Sequence, residues 1–163
     1  MANSVANSSR NSRKQHNHDG GLVTKTRPVP PARFLTAARL PTMKQSDLMQ
    51  ILLDRRLAQF GDSFVNFVYS LALTRSKGRP VGTKVSDKIL AVAAQKAGIR
   101  KLLPKRTPRG DVSNAVEALV VYAWLHNQMT IDDASAILEA QMDSPSDAFA
   151  TLSKKILEKM IDE

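Results

Sequence analysis

The chain has 163 residues, of which 42% are hydrophobic and none is cysteine, and it carries a formal net charge of +9 at pH 7. That length fits one domain with room for a tail, and the missing cysteines exclude a disulfide framework and a thiolate metal site, an absence that fits the cytoplasm. No apolar run approaches the roughly 20 residues that span a bilayer, and no signal-type apolar stretch opens the chain. The basic balance, with a pI of about 10.1, therefore points to a polyanion, either nucleic acid or an anionic membrane surface.

The charge is unevenly spread. Residues 1–45 hold eight Lys/Arg and one acid, Asp19, a net of +7. Residues 75–109 hold eleven Lys/Arg and one acid, Asp87, a net of +10. Residues 111–163 hold three Lys and ten acids, a net of −7. The first 27 residues are dominated by Asn, Ser, Arg and Gly, too polar to offset their ordering entropy. Pro28, Pro30 and Pro31 then favour extended backbone. A flexible basic tail is expected over 1–44, and a helical domain over 45–163.

Ser46 is a plausible N-cap with Asp47 in the first turn, and Leu48, Met49, Ile51 and Leu52 give a short helix its apolar face. Phe60, Phe64, Phe67 and Leu71 recur at helical spacing within 57–74, which reads as a central, buried helix. SKGRPVG at 76–82 is a loop signal. Helix returns over 84–97 with Ile89, Val92 and Ala93 inward, and Gly98 is a natural stop. Pro104 and Pro108 bracket a basic loop before a helix at 112–127. Thr130 with Asp133 makes a capping box for 131–141, and Ser144, Pro145 and Asp147 open a last helix to about Met160. No strand pattern and no internal repeat occurs.

Two carboxylates stand alone in this pattern. Asp62 is the only charged residue between Leu57 and Thr74, and Glu117 the only one between Val112 and Leu125. Burying an ionised carboxylate without a partner costs several kcal/mol at least, so a cation must offset it. Either an arginine or lysine side chain or a bound metal would serve. Gln59 and Asn66 flank Asp62 by one turn, with Arg55 a further turn back, and Asn114 precedes Glu117 by one turn. Oxygen donors on adjacent helices suit Mg²⁺, which takes one or two carboxylates and keeps several waters.

RRLAQFGDSFVNFVYSLAL resembles the ribonuclease III signature, in which a Gly-Asp pair sits inside a helix ahead of an apolar run. GTKVSDKILAVAAQKAGIRKLLP resembles the next stretch, where a loop opens a helix ending in Ala-x-x-Gly. NAVEALVVYAWL is similar to the second signature helix with its Glu-Ala-Leu core. The three segments keep order and approximate spacing across 46–127, and the likeness is to compact forms without a separate double-stranded RNA-binding domain, such as Mini-ribonuclease III and the short archaeal enzymes.

The resemblance implies an all-α, ribonuclease III-like endonuclease domain behind a disordered basic tail, acting on double-stranded RNA with Mg²⁺ (or Mn²⁺) as a homodimer. Asp62 and Glu117 match metal-ligating, catalytic acids of the two signatures. The glutamate usual four residues before the first is Ala58, and the aspartate usual three residues before the second is Asn114. Arg75, Lys77, Arg79 and Lys84, with Lys105, Arg106 and Arg109, are the expected phosphate contacts, since duplex RNA is read mostly by shape, 2′-hydroxyls and phosphates. Phe60, Phe64, Phe67 and Trp124 read as core or dimer interface. His16, His18 and His126 form no metal-ligand spacing. The expected partners are double-stranded RNA and a second copy, not a membrane. A second reading, motivated by Ala58 and Asn114, is a non-catalytic RNA-binding relative, such as a ribosome-associated component. A third is a helical protein-interaction module with its acidic C-terminal helices as the contact surface.

Overall fold

A computed structural model describes residues 44–161, so the expected tail lies outside the described residues except for Lys44. Among the described residues there are seven helices and no strand: α1 (Gln45–Leu52), α2 (Arg55–Lys77), α3 (Asp87–Lys96), α4 (Ile99–Leu102), α5 (Arg109–Leu125), α6 (Ile131–Glu139) and α7 (Pro145–Ile161).

The helix ends follow local chemistry. The cap expected at Ser46 is not made, because α1 starts earlier. The Lys44 carbonyl accepts from the Asp47 and Leu48 amides at 2.9 and 3.1 Å, and the Ser46 hydroxyl inside the first turn donates to Asp47 Oδ1 at 3.2 Å. Asp54 starts α2 by accepting from the Arg56 and Leu57 amides at 2.8 and 3.1 Å, two residues before the apolar pattern begins. Ser86 caps α3 through the Ile89 amide and delays its start to Asp87. Gly98 ends that helix with φ +83°, a left-handed conformation that favours glycine. The single turn α4, absent from the sequence pattern, follows it directly. Thr130 caps α6 as expected, its hydroxyl accepting from the Asp133 amide at 3.0 Å. Ser144 and Asp147 close the start of α7 with a 2.6 Å hydrogen bond.

The central helix is α5, not α2. Every position from Ala115 to Val121 is buried, and seven consecutive residues cover all sides of a helix. Its small side chains let α1, α2, α3, α4 and α7 pack around it, while α6 bridges α2 and α7. The bulkier α2 buries one face, through Phe64, Val65, Val68 and Tyr69, and leaves Phe60 and Phe67 48% and 54% exposed. Sandwiched between α5 and α7, α3 turns Leu90, Ala91, Ala93 and Ala94 inward, so Ile89 and Val92 are only half-buried. Phe149, Leu152 and Ile156 of α7 complete the core.

Candidate active site

The site begins at the contact between α2 and α5. Gly61 faces the backbone of Glu117 so closely that a Cβ there would lie 2.3 Å from the Glu117 carbonyl oxygen and 2.5 Å from its carbonyl carbon. Only glycine permits that approach. The next residue along α2 is Asp62, so the glycine that seats one helix on the other also brings the two isolated carboxylates to one place. Both line an open depression of about 470 Å³, together with Lys84, Asp87, Asp111 and Asn114. Ala58 lines it too, leaving an apolar patch where the family resemblance would put a glutamate.

A polar stripe on α2 organises the third wall. Asp62, Asn66, Ser70 and Thr74 are spaced four residues apart, on one face of the helix. Thr74 Oγ1 accepts from the Val81 amide at 3.0 Å and donates to the Val81 carbonyl at 3.4 Å. Ser70 Oγ does the same with Thr83, at 3.1 and 3.2 Å. Asn66 Oδ1 accepts from the Val85 amide at 2.8 Å, and its Nδ2 donates to Asp62 Oδ1 at 3.0 Å. The spacings match: four helical residues rise about 6 Å and two extended residues about 6.6 Å. The segment is thus zipped antiparallel along α2 at every second residue, with Val85 buried and Lys84 exposed. The Lys84 ammonium lies 3.6 Å from Asp62 Oδ1.

The two acids have different surroundings. Asp62 is partly exposed and has Asn66 and Lys84 as partners, an exposed pairing worth about 0–1 kcal/mol. Glu117 is only 5% exposed. Among the described residues the ion pairs are Arg75–Asp132, Lys84–Asp62 and Lys96–Asp147, and none reaches Glu117. Burial first, then the negative charges of Asp62 and Asp87, push its carboxyl up from 4.5 to about 7, against a smaller opposing pull from Lys84. Neither acid pairs with a buried arginine, the arrangement that would have made both purely structural. The donors are carboxylate and amide oxygens, the class that a hard divalent ion takes. Among the described residues, however, no group of three or more His, Cys, Asp or Glu stands close enough to hold a metal by itself.

The seven expected phosphate contacts divide into four groups. Of these only Lys84 lines the depression, where Arg55 of α2 is the other basic residue. Lys105, Arg106 and Arg109 are exposed at the start of α5, with Arg109 about 12 Å before Glu117 along the helix. Their loop is built by Arg100, whose guanidinium donates to the carbonyls of Pro104 and Lys105 at 3.0 and 2.6 Å, and by Thr107, which donates to Pro104 at 2.8 Å. Lys77 and Arg79 are exposed at the far end of α2, Lys77 about 22 Å beyond Asp62. Arg75 is engaged elsewhere: its guanidinium donates to Asp132 Oδ1 and Ser135 Oγ, both at 2.6 Å, and clamps α2 to α6. Asp87 and Asp111 were not singled out in the sequence, because each is one charge in a charged stretch and only the fold carries it to the depression. A larger groove between α6 and α7, of about 770 Å³, sets Asp133 and Glu158 beside Lys155 and Lys159 and gathers no isolated carboxylates.

No curated protein matches the chain. A family model described as Ribonuclease III matches residues 55–161, from the first residue of α2 to the last of α7. That span contains both carboxylates and the glycine that joins them, and the chain belongs to the ribonuclease III family.

Proposed function

We propose that this protein is an endoribonuclease that hydrolyses phosphodiester bonds of double-stranded RNA with Mg²⁺ or Mn²⁺, as a homodimer engaged in RNA processing in the cytoplasm. The observation that carries the reading is the meeting of Asp62 and Glu117 across the Gly61 contact, in a depression open to a polymer. Asp62 and Glu117 would hold the ion, which supplies an activated water and neutralises phosphate charge when bound. Asn66 orients Asp62 through its amide. In this reading Lys105, Arg106 and Arg109, exposed in the loop before α5 and at its first residue, would contact phosphates beyond the depression, and Lys84 would offer an ammonium to a phosphate within it. Phe60 and Phe67 support the homodimer. They lie seven residues apart on one exposed face of α2, and Phe60 borders Trp124 with ring centroids 6.3 Å apart. Among the described residues no helix is long and apolar enough to cross a membrane.

The second reading is a non-catalytic RNA-binding relative. It is favoured by the pair of replaced acids, Ala58 and Asn114, and by the lack of a three-acid cluster among the described residues. Incubating a labelled RNA duplex with the protein, with and without Mg²⁺, tests both. Metal-dependent cutting that falls by roughly 100-fold or more in Asp62→Asn is the expected result. Tight binding without cutting would select the relative, and neither binding nor cutting would refute both.

A further inference from the structure

The zipped segment places a tethered positive charge beside one of the two acids of the site. Lys84 sits between two residues whose backbones are tied to α2, Thr83 through Ser70 and Val85 through Asn66. The base of its side chain is therefore anchored, while its ammonium lies 3.6 Å from Asp62 Oδ1 and the side chain is 72% exposed. Asn66 belongs to the same device, since it holds Val85 with its oxygen and Asp62 with its nitrogen. An anchored base and a solvated head describe a cation that can leave its carboxylate without disturbing the fold.

We propose that Lys84 is a built-in competitor for the divalent cation at Asp62, occupying that carboxylate in the free protein and lowering the affinity of the site for metal. The inference rests on the reading of Asp62 and Glu117 as the metal-holding pair. A divalent ion displaces the ammonium because it carries twice the charge and engages both acids, whereas Lys84 reaches only Asp62. Neutralising Lys84 removes both the competition and the repulsion between the two cations. An ammonium within about 4–6 Å of a divalent ion at a solvated site opposes its binding by roughly three- to tenfold.

The experiment is titration of the full chain with Mn²⁺, followed by the loss of the free-ion electron paramagnetic resonance signal, which needs no catalytic turnover. Lys84→Met and Lys84→Gln should bind Mn²⁺ three- to tenfold more tightly than the wild type, and Lys84→Arg, which keeps the charge, should stay near wild type. Because the side chain is solvated, all three variants should keep the wild-type far-ultraviolet circular dichroism. If the wild type binds Mn²⁺ and the two neutral variants bind it equally or more weakly, the inference is overturned while the metal reading stands. If the wild type binds no Mn²⁺, both fall together.

Discussion

Glu117→Gln separates a carboxylate kept for a cation from one kept for the fold. The variant preserves the shape of the side chain and removes its charge. In the folded protein the Glu117 carboxyl is pushed up from 4.5 to about 7, chiefly by burial. A carboxyl that is the weaker acid when folded takes up protons on folding, so the metal-free protein loses stability as pH rises from about 4.5 through about 7. That span, at about 1.4 kcal/mol per pH unit, is worth at most about 3.5 kcal/mol, less because the depression admits water. The glutamine is neutral throughout and escapes the loss, minus about 1 kcal/mol for burying its amide. The net expectation is a gain of about 1–2 kcal/mol at pH 8. For a domain of this size that raises the melting temperature by roughly 4–8 °C, and the gain disappears near pH 4.5. Melting curves in a chelator at pH 4.5, 6 and 8 measure it, and Mg²⁺ added at pH 8 should raise the wild type alone and narrow the gap. An equal or lower melting temperature for the variant at pH 8, or a difference that ignores pH, would refute the account of Glu117 as an uncompensated buried charge.

Gly61→Ala should destabilise the protein by about 2 kcal/mol or more, because the new methyl meets the Glu117 backbone rather than a side chain that can turn aside; a urea midpoint unchanged from wild type would contradict the contact. Replacing Lys105, Arg106 and Arg109 together with Ala should weaken duplex RNA binding and flatten its dependence on salt, the log–log slope falling by up to about 2–3. An unchanged slope would remove that loop from the phosphate contacts. Phe60→Ser with Phe67→Ser should convert a dimer to a monomer by light scattering at micromolar concentration with little change in helix content, since both rings are exposed in the single chain. A wild type that is itself monomeric would leave that face without its proposed partner.

Much of this was legible in the sequence. The isolation of Asp62 and Glu117 in apolar surroundings is a property of composition along the chain, and the Thr130 cap of α6 is a local rule that the fold obeys, though Asp133 answers the Thr130 hydroxyl rather than its amide. Which helix lies at the centre was not legible. Periodicity records how many faces of a helix are apolar, not how many neighbours surround it, and α2 has the larger side chains while α5 has the fuller burial. The stripe on α2 could have been followed further. Asn66 was visible as a neighbour of Asp62, and Ser70 and Thr74 continue the same four-residue spacing. Arg75 could not have been separated from its basic neighbours, because its partners Asp132 and Ser135 lie 57 and 60 residues away.

The zipper along α2 gives the intervening loop a parity. Residues 81, 83 and 85 present their backbones to the helix, so whether a residue meets α2 or solvent depends on whether its position is odd or even. Residues added between Lys77 and Pro80 leave that count intact and lengthen only the bend. One residue inserted or removed between Val81 and Val85 inverts it, sending lysine's place to the wall and the wall's valine to the water. The length of this loop is therefore free on one side of Val81 and quantised on the other, a constraint that no single substitution would reveal.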